Sequence, residues 1–430
     1  MTSSPRGQAP NEAFVWVWLP GATEPVVAGR LAKSSGETLV FNYGRSYLDR
    51  PDAIALFDRE LPLRAGALPL LPGLSMPGCI RDASPDAWGR RVIINRTMGL
   101  AGDAAAAVEL DELTYLLESG SDRIGALDFQ VSATAYEPRA GQSAPLATLL
   151  EAAEFVERGV PLPPELDSAL LHGSSLGGAR PKAMIDDGDA KYIAKFSASN
   201  DLYSVVKAEF IAMRLASACG LSVAPVRLAS ALGKDVLLIE RFDRARASDG
   251  WRRRAMLSAL TLLELDEMMA RHASYEVLAE IIRHRFAEPT ATLRELFGRL
   301  VFNILCGNTD DHARNHAAFW NGTQLHLTPA YDICPQSRSG QVASQAMLIA
   351  GDERRSQLAH CINAAGQFLM SAEEATQLIS KQVETIKAQW VATCDAAALS
   401  QTDRALFWGR QFLNPYAFEG VGKAAGEPAS

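Results

Sequence analysis

The run FVWVWL, Phe14 to Leu19, is β-rich and stops at Pro20-Gly21. Pro25 to Arg30 and Glu37 to Tyr43 repeat the pattern across a break at Ser34-Ser35-Gly36. Three short runs with turn residues between them predict an antiparallel meander. Residues 84–97, SPDAWGRRVIINRT, predict a helix with Ser84 as its cap and Pro85 in the first turn. Residues 105–118 and about Leu146 to Arg158 carry apolar side chains at helical spacing, between Pro- and Gly-bearing connectors at 137–146 and 159–164.

After His172 the pattern changes. GSSLGGARPKAMI is a Gly-rich turn running into a strand, Asp187-Gly188-Asp189 is a hairpin turn, and KYIAKF, Lys191 to Phe196, is the next strand. Ser204 to Cys219 predicts an amphipathic helix stopped by Gly220. Val226 to Ser230 and Asp235 to Glu240 are strands again. From about Met256 the spacing is helical almost throughout, except for a small strand and turn region around Ala317 to Tyr331. The expected class is therefore α+β in two lobes, with a β-rich N-terminal half and an all-helical C-terminal half that meet near residues 242–255. A cleft between such halves is a usual place for a ligand.

Composition narrows this picture. A chain of 430 residues with 48% hydrophobic and 21% charged residues suits a globular protein of two or three subdomains. The formal net charge of −8 argues against a surface wholly devoted to nucleic acid. No apolar stretch approaches the ~20 residues that span a bilayer, and the polar start MTSSPRGQAPNEAF shows no secretory signal. Cys79, Cys219, Cys306, Cys334, Cys361 and Cys394 form no CxxC pair and read as buried thiols. A reducing, cytoplasmic setting is expected, without a membrane partner.

The chemistry concentrates in GNTDDHARN, Gly307 to Asn315, and in PAYD, which ends at Asp332. Asp310 has an Asn five residues later, Asn315, and a second aspartate, Asp332, 17 residues beyond that. Phosphoryl transfer from ATP requires little covalent chemistry of a protein. It needs a base to orient the attacking hydroxyl and hard oxygen ligands for the metal on the phosphates. Asp310 is the candidate base, and Asn315 and Asp332 are candidate ligands for Mg2+. Asp311 lacks the five-residue spacing to Asn315.

Upstream, in the order a kinase uses, come a flexible loop and a strand lysine. Ser174, Ser175, Gly177 and Gly178 offer backbone N–H groups to phosphates, followed by Lys182. Lys195, inside the apolar strand KYIAKF, either snorkels at the strand edge or meets an anion, with Glu209 as its expected acidic partner. LLIERFDR, 237–244, closes the β-rich half. Glu240 and Phe242 there either face an adenine edge or, for Phe242, pack in the core. The run Arg241, Arg244, Arg246, Arg252, Arg253, Arg254 reads as a solvated connecting loop before a contact with DNA or an acidic partner.

Taken together, SSLGGARPK, YIAKF, LLIERFDR, NTDDHARN and PAYD resemble the HipA family of toxin kinases, and FNYGRSYLDRP and SPDAWGRR are similar to its N-terminal subdomain. The resemblance implies a protein-kinase-like fold divided at 12–135, 136–245 and 246–420. It implies an ATP- and Mg2+-dependent serine/threonine protein kinase, with His312 and Tyr331 joining the nucleotide-binding set. It further implies autophosphorylation at Ser175, a HipB-like helix-turn-helix antitoxin that carries any DNA contact, and a translation-related protein substrate such as glutamyl-tRNA synthetase. Arg314 stands where the family often has a phosphate-contacting lysine. Two other functions fit parts of the pattern: a small-molecule phosphotransferase, and a catalytically silent co-repressor partner of a DNA-binding antitoxin.

Overall fold

The computed structural model describes residues 10–34, 38–100, 108–139, 144–163, 166, 170, 180–198, 201, 203–338 and 340–421. The chain forms two compact units, Met1–Ala194 with Asp243–Met256, and Lys195–Phe242 with Leu257–Ser430.

In the first unit, β1 (Glu12–Val17), β2 (Val26–Lys33) and β3 (Leu39–Tyr43) form the expected antiparallel meander. A fourth strand, β4 (Leu127–Gln130), pairs with the free side of β1 and gives the order β3-β2-β1-β4. The sequence pattern did not predict β4. The β1–β2 register slips between Val15 and Trp16, opposite Gly29. A Cβ at Gly29 would lie 2.2 Å from the Asn42 carbonyl oxygen and 2.6 Å from the Phe41 ring, so the close approach there requires glycine.

The helix expected from Ser84 starts later, at Ala87–Met98, with Asp86 in the cap position and no side-chain cap bond. Ser84 instead donates to Glu112, 3.1 Å away, and the Pro85 carbonyl accepts from Arg90. The helix expected over 105–118 is Glu112–Glu118, capped by the Asp111 carboxylate on the Leu113 N–H at 2.9 Å. The helix Leu146–Glu157 lies where its periodicity placed it.

Two buried charge networks hold this unit together. Asp128 accepts from Arg123 (2.9 Å), Arg139 (2.8 Å), Tyr136 (3.0 Å) and Gln130 (3.1 Å). The second network revises the reading of the Arg-rich run. Arg244–Ala247 and Gly250–Arg253 form a two-stranded hairpin, not a solvated loop. Arg244 is buried against Asp122 (2.8 Å), Asp243 (2.9 Å) and the Gly125 carbonyl (2.9 Å). Arg253 lies 3.4 Å from the centre of the Trp18 ring and donates to the Ser121 carbonyl. Acceptors and aromatic faces far away in sequence neutralise these arginines. Arg246 and Arg252 remain exposed.

The second unit starts with the last residues of the strand Lys191–Phe196. The helix Val205–Ala218 buries a broad apolar face and ends before Gly220. The strands Val226–Ala231 and Lys234–Glu240 pair as an antiparallel hairpin. The helix Pro289–Cys306 opens with proline in its first turn and buries nearly every residue from Leu296 onward. Ala372–Ala396 opens with a capping box between Ser371 and Glu374.

The C-terminal half is not all-helical. It contains the strand pair Ala317–Trp320 and Leu325–Leu327, as the pattern around Ala317 to Tyr331 suggested. It also has a stretch without helix among the described residues of 332–357, where helical spacing was expected. Ile333, Met347 and Ile349 are buried there in irregular backbone, pinned by isolated bridges such as Ser274 with Leu348. The structure is thus a mixed α and β protein with several sheets. All six cysteines are buried and unbridged. Among the described residues no helix is long and apolar enough to cross a membrane.

Candidate active site

Within the second unit, three backbone features bring the acidic residues of the sequence motifs together. The first is the stop of the helix Pro289–Cys306 at Gly307, whose φ is 71°. A Cβ there would meet the Gln411 carbonyl oxygen at 2.7 Å, so glycine alone lets the chain turn into the loop. Asn308 then anchors the loop, its N–H on the Asn303 carbonyl at 2.8 Å and its own carbonyl accepting from Gln345 at 3.0 Å.

The second feature is the tight loop itself. The Asp310 carbonyl accepts from the His312 N–H (2.9 Å) and from the Asn315 side-chain amide (3.2 Å). Asn315 is buried, and it binds the loop through its amide nitrogen. Asp310 is exposed, and among the described residues no hydrogen bond or ion pair reaches its carboxylate. Partial desolvation raises the Asp310 carboxyl; His312 opposes this, while the charges of Asp332 and Asp311 add to it.

Asp311 has the opposite environment. It is buried and accepts from the Tyr275 hydroxyl and, at 2.9 Å, from the His316 ring. The five-residue spacing assigned the catalytic role to Asp310 rather than Asp311; of the two, Asp310 is the exposed carboxylate.

The third feature is the turn at Asp332. Ala330 is pinned to the segment 222–224 by two backbone bonds, 2.7 and 2.9 Å long. Asp332 follows in the left-handed region at φ 58°, which aspartate tolerates better than most residues. Its carboxylate pairs with the Lys195 ammonium, which also lies 2.6 Å from Glu209. Burial alone would lower the pKa of Lys195, but Asp332 and Glu209 outweigh it and push it up. Lys195 is therefore a buried cation between two carboxylates, of which Glu209 is sealed and Asp332 is 38% exposed.

The other expected residues are placed as follows. Phe242 meets Phe319 edge-on at 5.9 Å and Tyr331 at 5.6 Å, which matches the packing reading of that ring. Tyr331 donates to the Arg314 carbonyl at 2.6 Å. The Glu240 N–H is taken by the Pro225 carbonyl, and His312 is half-buried. Arg314 is ion-paired with Glu267. Lys182 lies buried in the first unit on the strand Lys182–Asp186. Ser174, Ser175, Gly177 and Gly178 lie outside the described residues.

Sequence reasoning missed Tyr275 and His316. Nothing local marks Tyr275, which starts a helix 36 residues before Asp311.

Among the described residues no group of three or more His, Cys, Asp or Glu is arranged to hold a metal ion. Asn315 and Asp332 nevertheless present hard oxygens, which suit Mg2+ when substrate phosphates and water supply the rest of its shell.

Comparison with known proteins yields two family models, a HipA-like C-terminal domain over residues 174–390 and a HipA N-terminal domain over residues 17–130. The chain is 26% identical over 344 residues to Y4mE of Sinorhizobium fredii, a protein with a kinase name, covering 74% of this chain and 76% of that one. It is 25% identical over 178 residues to the serine/threonine-protein kinase toxin HipA of Shewanella oneidensis, 38% of this chain and 40% of that one. Among solved structures, HipA from Shewanella oneidensis MR-1 in complex with HipB and operator DNA superposes with a TM-score of 0.68 at 19% identity, covering 92% and 93% of the two chains. That likeness shows a common fold.

Proposed function

The chain belongs to the HipA family, and from that premise we propose that it is a serine/threonine protein kinase using ATP and Mg2+. One observation carries the reading. A buried lysine is held between a sealed glutamate and a partly open aspartate, and in the loop that ends in Asn315 the Asp310 carboxylate has no hydrogen bond or ion pair among the described residues. A fold has no structural need for an exposed carboxylate beside a half-open buried ion pair.

In this reading Asp310 accepts the proton of the attacking serine or threonine hydroxyl. The hydroxyl oxygen forms the new P–O bond to the γ-phosphorus as the bond to the bridging β–γ oxygen breaks, and ADP leaves with that electron pair. Lys195 contacts the ATP phosphates, and Glu209 fixes where the ammonium points. Asn315 and Asp332 would hold Mg2+, which when bound offsets charge on the phosphate oxygens. The family resemblance would add Lys182, Glu240, Phe242, His312 and Tyr331 to the nucleotide-binding set.

The family premise and the HipB-bound state of the structural relative support a HipB-like antitoxin partner, through which DNA would be contacted. The family resemblance points to a translation-related protein such as glutamyl-tRNA synthetase as target. Six unbridged thiols support action in the reducing cytoplasm.

Ser175 is proposed as an autophosphorylation site that switches the enzyme off. A phosphoserine adds about −1.5 to −2 charges, which would compete with ATP phosphates for the loop N–H groups. Mass spectrometry on protein produced as the parent and as Asp310→Asn tests this. Phosphate on Ser175 in the parent alone is the expected result, and its absence from both under ATP and Mg2+ removes the proposal. The function as a whole is tested by incubating the pure chain with γ-labelled ATP and a cell lysate. Label on serine or threonine of discrete proteins supports a protein kinase. Label appearing only in small molecules favours a metabolite phosphotransferase, and no label at all favours a silent partner.

A further inference from the structure

The aspartate beside the proposed base has no part in the mechanism above, yet it is as deeply buried as Glu209. Both oxygens of the Asp311 carboxylate are engaged, one by the Tyr275 hydroxyl and the other by His316 Nε2 at 2.9 Å. Tyr275 and His316 also approach each other, the hydroxyl 3.1 Å from Nε2 and the rings edge to face at 5.3 Å. None of the three is more than 2% exposed. His316 Nδ1 is buried and, among the described residues, unpartnered. The contact of the ring with Asp311 is therefore made through Nε2. Burial, and then the Asp311 charge, push the Tyr275 hydroxyl pKa well up, so it stays a donor.

The placement of these residues gives the network its leverage. Asp311 follows Asp310 directly, and His316 follows Asn315 directly. The network therefore grips the loop at one residue beyond each of the two groups that the mechanism needs. Tyr275 comes from another element, the helix Tyr275–Arg285, whose start is tied by the Ser274–Leu348 bridge and by a backbone bond from Tyr275 to Leu348.

We propose that Asp311, with Tyr275 and His316, is a positioning residue that holds the Asp310–Asn315 loop in the geometry for phosphoryl transfer. The inference rests on the reading of Asp310 as the base. It gives the two aspartates different roles, since Asp310 touches substrate and Asp311 never does. Misplacing a reacting group by about 1 Å costs roughly a hundredfold in rate, so loosening this clamp acts on the chemical step more than on nucleotide affinity.

The test pairs kinetics with hydrogen exchange in Tyr275→Phe, which removes a single oxygen, and in Asp311→Asn. The expected result is a kcat lower by roughly tenfold or more, with KM for ATP within about twofold of the parent. Amide exchange should quicken at Asn308, Thr309, His312 and Asn315 while the helix Ala372–Ala396 stays protected. Two results overturn the proposal. In one, both variants keep the parent kcat and loop exchange. In the other, KM and global exchange rise together with the loss of kcat, which marks general destabilisation. If the parent itself transfers no phosphate, the kinase reading falls. The exchange measurement still decides whether the network clamps the loop.

Discussion

Each unit of this chain buries cations among carboxylates, and the two arrangements differ in what they leave open. In the first unit Arg123 and Asp128 are wholly enclosed, and Arg244 is saturated by Asp122, Asp243 and backbone carbonyls. Every charge there is answered within the protein. In the second unit Lys195 is also buried, but one of its two carboxylates, Asp332, reaches solvent from a left-handed turn, and among the described residues no hydrogen bond or ion pair reaches the carboxylate of nearby Asp310. A closed network can only hold a fold, because any ligand would have to break it. An open one can exchange a protein partner for a ligand's phosphate or metal at little cost. What tells the two apart is the exposure of Asp332 and Asp310.

The contrast is sharpened most by Asp332→Ala. Phosphoryl transfer should fall by roughly a thousandfold, as for loss of a group that stabilises transferring charge. Thermal unfolding should move little, because Glu209 still pairs with Lys195. A variant that unfolds instead would place Asp332 with the structural charges.

Asp128→Asn should do the reverse. Breaking a buried pair costs about 3–5 kcal/mol, so the chemical denaturation midpoint should drop while any active fraction keeps its KM for ATP. This loss is pH-dependent. Burial would raise the Asp128 carboxyl, but Arg123 and Arg139 outweigh it and hold it below the usual carboxylate range. A depressed carboxyl stabilises the fold above its unfolded pKa of about 3.9, and that stability is lost as pH falls through the folded value. The gap between parent and Asp128→Asn should therefore be full at neutral pH and narrow only below about pH 4. A gap that widens in acid would contradict the assignment.

A smaller effect is expected from Lys195→Ala, with ATP affinity weaker by roughly tenfold, the worth of one charge-assisted contact. Calorimetric titration measures it, and equal affinities would return Lys195 to a purely structural role.

How far the sequence reveals these networks depends on how local their partners are. The β1–β3 meander, the helix Val205–Ala218 and the strand Lys191–Phe196 were legible because alternation and helical spacing are properties of short windows. The order Asp310, Asn315, Asp332 was legible for the same reason. The hairpin Arg244–Arg253 was not, since a run rich in arginine reads as solvated unless Asp122, Ser121 and Trp18 are known to meet it. The apolar residues around Met347 gave a helical spacing that long-range bridges override. Ser84 and Pro85 resembled a helix start, but Ser84 is bound to Glu112 instead. Tyr275, which seals Asp311, gave no signal because the contact exists only after folding.

The central claim is that the open carboxylate, and not the enclosed one beside it, receives the substrate proton. The most direct measurement is γ-phosphoryl transfer by the parent and by Asp310→Asn at saturating ATP, with binding followed by calorimetry. ATP affinity is expected to stay within about twofold, while transfer falls by roughly a hundred- to ten-thousandfold, the usual contribution of a general base. Equal transfer by the two proteins would contradict the account.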